Sequence, residues 1–514
     1  MQSFILRRLR RAIRSAASLD PSRRTFLRTT AMASAALAVP PIFSTCSRPP
    51  RPSDRKGAPV VVIVGAGLAG LTAAYQLRQR GIPSTVYEAA SRIGGRVYSV
   101  ADRVAPGSIT EFGGEYIDSV HGDMLALAHT FGLELVDLED PTFATLDDTL
   151  WFDGKRWTDA DLVAAIRPYV ERIAADAASI PDSPEQLRFM PDSKAVRLDS
   201  MSLASYLASL GMTGWIRSFI ETAFVTENGL ELDSQSTLAF LRMVSTDVSS
   251  DRFDQFGDSD ERFKVRGGNA RIVSALAQPL QSFIETGYVL ERIAAVGERY
   301  QLTFRKSLRA VEVLADVIIC AIPFSVLREV DLRLPLSEAK RDVIQNLRYG
   351  ANSKTMFSFA EAFWRRNDDN GFIYTDLGPQ LVWDNTALQG LSSGGLTCFN
   401  GGALCREISA LSTPAVTERL MRDIIAVWPD AQNHTPLRTD RMNWPSYAWS
   451  KGSYSSYGPR ETTRWAGIEG MPEGRLFFAG EHCSVQHKGY MNGAVETGRM
   501  AAQAVATLIG KEWG

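Results

Sequence analysis

Ala58 to Arg96 reads APVVVIVGAGLAGLTAAYQLRQRGIPSTVYEAASRIGGR. Val60 to Val64 is a short apolar, β-branched run, followed at once by Gly65, Gly67 and Gly70 and then by an alanine- and leucine-rich segment closed at Gly81. That succession predicts strand, tight turn and helix. Each glycine then has its own task. Gly65 lets the backbone turn sharply, Gly67 leaves room for a pyrophosphate to approach the main chain, and Gly70 lets helix and strand pack closely, with the phosphate at the positive end of the helix. A second extended run, Ser84 to Tyr87, ends on Glu88, about twenty residues past the glycines, where a carboxylate is placed to bind a ribose hydroxyl. The strand before, the helix after and Glu88 at this distance raise the pattern above a glycine-rich connecting turn.

Gly94-Gly95-Arg96 follows closely, and an arginine behind two glycines can set a planar fork on a second face of a diphosphate. With these residues the stretch resembles the N-terminal signature of the flavin amine oxidase family, in which the dinucleotide unit is followed by Glu and then Gly-Gly-Arg. The resemblance implies FAD rather than NAD. It continues at Thr110 to Asp118, TEFGGEYID, where Gly113 and Gly114 match the second glycine pair, whose backbone lies close to the flavin ring. Phe263 to Arg271, with Gly267-Gly268-Asn269, resembles the return of the chain to the FAD domain, and Ile293 is matched across a gap to the apolar residue beside the adenine. Asp316 to Ile322 reads as another buried strand.

From Asn352 to Phe359 the alternation predicts a strand with Lys354 facing inward at its start. A lysine is ordinarily a solvated surface residue; the resemblance assigns Lys354 the role of holding a water against flavin N5. In the monoamine oxidases the position of Ser453 is the cysteine that carries the flavin covalently. A serine cannot form that thioether, so FAD is expected to be non-covalent. Trp444 matches a ring packed near the isoalloxazine, and Tyr454 and Tyr490 match the two walls of an aromatic cage in front of it. Leu476 to Glu481, LFFAGE, and Gly489 to Gly498, GYMNGAVETG, closely resemble the family's terminal signature. There Gly480 and Glu481 meet the ribityl-phosphate region, and Met491 opens a last helix whose N-terminus faces the flavin N1–C2 carbonyl, where reduced flavin gains negative charge.

The 514 residues suffice for two domains, and 45% hydrophobic with 22% charged content is ordinary for a globular enzyme. The net charge of -2 hides an asymmetry: residues 1–46 hold eight arginines and one acid, leaving 48 basic against 57 acidic side chains, a net -9, in the remainder. That remainder has no electrostatic case for nucleic acid. Ser22 to Leu27, SRRTFL, resembles a twin-arginine motif, with an apolar stretch Ala31 to Val39 too short to span a bilayer and a small-residue cleavage site at Ala36-Leu37-Ala38. Export through the twin-arginine machinery to the periplasm or outside is expected, with no transmembrane span. The alternative is a disordered basic tail, and Cys46 is a poor match to a lipid-anchor site. Five cysteines and five histidines show no ligand spacing, so no metal is expected, while one disulfide after export stays open.

The fold expected is α/β: a discontinuous Rossmann-like FAD-binding domain (58–118, 260–330 and 440–510) with a mixed-sheet plus helical substrate domain (119–259 and 331–439), after a signal segment (1–46) and a linker (47–57), as in amine oxidases and the p-hydroxybenzoate-hydroxylase-like flavoproteins. Residues from Asp123 to about 250 read as mostly amphipathic helix. The resemblance implies oxidative deamination of an L-amino acid or primary amine: hydride passes to flavin N5, the imine hydrolyses to ammonia and an oxo acid or aldehyde, and dioxygen yields hydrogen peroxide. Tyr116 stands where amino acid oxidases of the family often carry an arginine clamp for the carboxylate, which favours an amine; the stretches 115–118 and 223–236 are more like bacterial L-amino acid oxidases. Glu115, Asp118 and Glu227 are candidates to select a cationic tail, against the plain reading of solvated carboxylates. A flavin desaturase or porphyrinogen-type oxidase and a non-catalytic FAD-binding protein are the rival readings. Oligomeric state stays open, a homodimer included.

Overall fold

In the computed structural model, residues 57–144, 147–248, 255–256, 258–367 and 369–513 are described. The expected signal segment and nearly all of the linker lie outside them.

The run Val61–Val64 is the middle strand of a five-stranded sheet. Its parallel neighbours are Ser84–Glu88 on one side and Val317–Cys320 on the other, with Ile284–Thr286 and Leu476–Phe478 at the edges. Alternate side chains feed different cores. Val61, Ile63, Val317 and Ile319 pack with helices Leu68–Gln79 and Met491–Glu512, whereas Val62, Val64, Ile318 and Cys320 pack into a second cluster with Phe324, Trp465 and Phe478. Both faces are covered, so these strands read as unbroken apolar runs. A four-stranded sheet formed by 288–315 and 331–333 stands beside it.

A seven-stranded sheet takes its strands, in order, from Arg438–Asn443, Asn352–Phe359, Gly394–Gly401, Leu381–Asp384, Asp369–Thr375, Asp147–Phe152 and Lys155–Trp157. The last two interrupt the stretch between 123 and 250, which is otherwise mostly helix as expected. Asp147–Phe152 pairs in parallel with Asp369–Thr375, a partner more than two hundred residues away that local periodicity cannot reveal. Helices Asp159–Ala177, Leu203–Ser209, Trp215–Asn228 and Thr237–Leu241 cover one face of this sheet, and Thr413–Val427 covers the other. Asn352–Phe359 is therefore buried at every position rather than alternating with solvent.

No helix among the described residues is long and apolar enough to cross a membrane.

Candidate active site

One large cavity runs from the carboxyl ends of the parallel strands to the wide sheet. Its first wall is the strand–turn–helix. A Cβ on Gly70 would lie 2.0 Å from the carbonyl oxygen of Gly65, so packing excludes any side chain there; a Cβ on Gly67 would meet nothing within 4 Å and would project into the cavity that Gly67 lines. Gly67 is thus open for a ligand rather than for the protein, as a pyrophosphate requires. The helix behind it has no side-chain cap and no acid in its first turn, leaving its N–H groups and positive end available to an anion. Glu88 is buried, one oxygen accepting from the Ala66 N–H at 2.7 Å and the other from the Ala90 N–H at 2.8 Å. A carboxylate has about four acceptor positions, so a ribose hydroxyl can still donate to it.

Arg96 lines the cavity, but its guanidinium already donates to Glu481 Oε1 at 2.8 Å and to the Ser453 carbonyl at 2.7 Å. Burial alone would raise Glu481; Arg96 and its neighbours outweigh it and hold the carboxyl down at about 2. Arg96 thus ties the N-terminal unit to the terminal signature, with its charge matched by Glu481. Ser453 is buried, its hydroxyl donating to Asn352 Oδ1 at 2.6 Å. Trp444 is buried at the wall against Tyr447. Ile293 lies in the core rather than the wall, and Tyr288, Val289 and Leu290 reach the cavity. The helix begun by Met491 also has an uncapped N-terminus at the cavity, with no acid in its first turn.

The second glycine pair is braced from below. Asn269, fully buried, donates to the carbonyls of Gly114 and Glu115 and accepts from the Val265 N–H. Lys354 donates to the carbonyls of Glu111 and Gly113 at 3.0 and 2.9 Å and to Glu115 Oε2 at 2.8 Å. An ammonium has three hydrogens, and three protein acceptors are in place here. Lys354, expected to hold a water against the flavin, lines the cavity with its ammonium tied to these protein oxygens. Lys264 and the indole of Trp383 engage the other oxygen of Glu115, at 2.7 and 3.1 Å. Burial opposes this carboxylate, yet the two ammonium groups hold it at about 2. Glu115 is consequently not placed to select a substrate tail. Neighbouring Glu111 is pushed up to about 7 by burial, offset in part by bonds from Asn269 and Ser99. Tyr116 lies under the Lys264 ammonium and edge-on to Trp383.

The cage is hung from the end of helix Trp215–Asn228. The Tyr454 hydroxyl donates to the Thr226 carbonyl at 3.1 Å, and the Tyr490 hydroxyl to Glu227 Oε1 at 3.1 Å. Both rings and Glu227 line the cavity. Burial, reinforced by the Glu227 carboxylate, keeps both phenols far above their usual range, so they remain protonated hydroxyls. Asp118 sits behind Tyr490, bonded to Ser259 and His121.

Sequence reasoning missed Asn269, Lys264, Trp383, Ser259 and His121. Asn269 and Lys264 both belong to the stretch Phe263 to Arg271, but neither Lys264 nor Trp383 carries a local signal for its role, because their partner Glu115 is supplied by the fold. Among the described residues there is no disulfide, the thiols of Cys320, Cys398, Cys405 and Cys483 being buried, and no cluster able to hold a metal.

Residues 68–506 match the model of the flavin-containing amine oxidoreductases. Flavin-containing amine oxidase A of Bos taurus is 26% identical over 472 residues, covering 88% of this chain and 85% of its own. Amine oxidase B of Cavia porcellus is 26% identical over 467 residues, covering 88% and 86%. Among solved structures, a putrescine oxidase bound to putrescine superimposes with a TM-score of 0.76 at 20% identity, covering 88% of this chain and 99% of that one. The cyclohexylamine oxidase of Brevibacterium oxydans gives 0.75 at 22%, covering 88% and 100%. These two likenesses concern the fold.

Proposed function

We infer the reaction from one premise: the chain belongs to the flavin-containing amine oxidoreductase family, and FAD is its cofactor. The reaction proposed is oxidation of a primary amine to an imine, which water converts to a carbonyl compound and ammonia, with dioxygen reduced to hydrogen peroxide. FAD supplies the hydride acceptor and the site of dioxygen reduction. Gly67, Glu88 and the uncapped helix ends at Leu68 and Met491 would hold it. Tyr454 and Tyr490 present aromatic faces that orient the amine, their hydroxyls fixed by Thr226 and Glu227 so that neither ring can swing away.

The observation that carries an amine rather than an amino acid is the state of the cations in the wall. Among the described lining residues, Arg96 is paired with Glu481, Lys354 with Glu115 and Lys488 with Glu469, and Arg92 donates to the backbone carbonyls of Ile93 and Gly95, while Glu227 places a carboxyl group at the cage. Anaerobic bleaching of the flavin by a panel of L-amino acids and of amines lacking the carboxylate tests this. Bleaching by amines supports the reading; bleaching by amino acids alone overturns it, and bleaching by neither favours a protein that binds FAD without turnover.

Twin-arginine export belongs to the proposal, supported by Ser22 to Leu27. Loss of the protein from the periplasmic fraction in an Arg23→Lys, Arg24→Lys variant is the expected result.

A further inference from the structure

Asn269 immediately precedes helix Ala270–Ala277, the place from which an asparagine side chain ordinarily caps its own helix. Here it makes no such cap. The side chain is spent on a distant segment instead: its amide nitrogen donates to the carbonyls of Gly114 at 3.1 Å and Glu115 at 2.7 Å, and its amide oxygen accepts from the Val265 N–H at 3.0 Å. Both amide hydrogens are thereby used. The residue is fully buried, and its own N–H donates to Glu111 Oε1 at 2.7 Å, which fixes the backbone from which the side chain extends.

Gly114, Glu115 and Tyr116 line the cavity and Asn269 does not, so Asn269 holds the segment from behind. In a trans peptide the C=O and the N–H that follows it point in opposite directions, and no peptide among the described residues is cis. With the Gly114 carbonyl drawn back to Asn269, the Glu115 N–H is turned toward the cavity. It has no acceptor among the described residues, whereas the Gly114 N–H already donates to the Arg96 carbonyl at 3.0 Å. The place of this N–H along the cavity says what it meets. Gly67 and Glu88 mark the pyrophosphate and the ribose at the parallel sheet, so the isoalloxazine ring of FAD lies further along, toward the wide sheet, where Lys354 ties the carbonyls of Glu111 and Gly113 into the same wall.

We propose that Asn269 is a positioning residue for the cofactor: by holding the Gly114 and Glu115 carbonyls it aims the Glu115 N–H at an acceptor atom of the flavin ring and makes the flavin easier to reduce. This rests on FAD occupying the cavity as described above. Hydrogen bonds to the ring tune its electronics, and a donor already fixed in place costs no reorganisation when negative charge develops on its acceptor. Without the Asn269 amide two buried carbonyls lose their donor, a loss the peptides relieve by rotating. Rotation swings a carbonyl oxygen toward the ring, where it opposes the added electrons.

The test is the two-electron midpoint potential of the FAD-loaded full chain, reduced with dithionite against a reference dye so that no substrate is involved. Asn269→Ser keeps a residue favoured at the start of a helix, but its one hydroxyl hydrogen serves at most one carbonyl. Asn269→Leu keeps the size and removes both donors. Each is expected to shift the equilibrium toward oxidised flavin about tenfold, or about 30 mV for two electrons. Asp199→Asn, at a buried residue bonded to Ser236 and Thr463 away from the cavity, controls for lost stability alone and should stay within about twofold of wild type. Flavin titration of each apoprotein identifies the variants that bind FAD, and Asn269→Ser serves if Asn269→Leu does not. Hydrogen exchange of the Glu115 N–H in the wild type needs no variant and is expected to slow at least tenfold when FAD binds. An Asn269→Ser equilibrium within about twofold of wild type, an equal shift in Asp199→Asn, or Glu115 exchange unchanged by FAD overturns the proposal alone. A wild-type apoprotein that takes up no FAD overturns the occupancy of the cavity and the proposal with it.

Discussion

Lys354 and Glu115, 239 residues apart in the chain, form a buried ion pair at 2.8 Å on the wall of the cavity. Lys264 completes it from the other side, so one carboxylate balances two ammonium groups beside the second glycine pair.

Removing the carboxylate leaves two buried ammonium groups uncompensated, so Glu115→Gln is expected to destabilise the protein by about 3–5 kcal/mol. Lys354→Met leaves Glu115 paired with Lys264 and should cost less. The double variant should lose less than the sum of the two, because Lys354→Met then removes one of the charges that Glu115→Gln left unpaired. Unfolding midpoints of the four proteins in denaturant form the cycle; additive losses would show that the two groups act independently.

Gly67 and Gly70 are expected to respond in opposite ways to alanine. At Gly67, where φ is -78°, a methyl group meets only cavity, so the protein folds and FAD affinity drops about tenfold or more, roughly 1.4 kcal/mol. At Gly70 the methyl would lie 2.0 Å from a backbone oxygen, and folding itself should fail. Flavin titration of the apoprotein and thermal unfolding separate the two effects.

Stability should carry two pH signatures. Glu115 and Glu481, held at about 2, stabilise the fold fully above the ordinary carboxylate value of 4.5, and that contribution is lost as pH falls toward 2. Glu111, held up near 7, does the reverse: its contribution is present below about 4.5 and is lost as pH rises through 7. In thermal unfolding from pH 3 to 8, Glu111→Gln should therefore compare progressively better with wild type as pH rises. A difference independent of pH would remove Glu111 as the source.

With serine at 453 bonded to Asn352, no thiol is available there to carry the cofactor. Acid precipitation of the holoenzyme is expected to leave all of the flavin in the supernatant, measured by its fluorescence, and yellow colour in the pellet would contradict this.

Much of this site is written in local sequence. Each glycine task and the carboxylate of Glu88 follow from residues within about thirty positions of one another, and the strand ending at Cys320 from its own apolar run, because a strand, a tight turn and a helix N-terminus are built from adjacent residues. The aromatic cage and the terminal helix were legible only through their resemblance to a family. Where the sequence was silent, the missing information was tertiary. Lys354 alone is a lysine at the start of a strand; Glu115 alone is an acid after two glycines. Nothing local says that they meet, or that Lys264 and Trp383 join them.

The chain by itself determined the cofactor-binding unit, the order of its segments and the serine at 453, since these depend on backbone freedom and on which atoms are present. Tertiary structure decided which charges are already matched. That question settles whether Arg96, Lys354 and Glu115 face a ligand or each other, and it is answered by contacts across 385, 239 and 149 residues of chain. Burial makes the answer consequential, because a charge withdrawn from water must find its partner inside the fold.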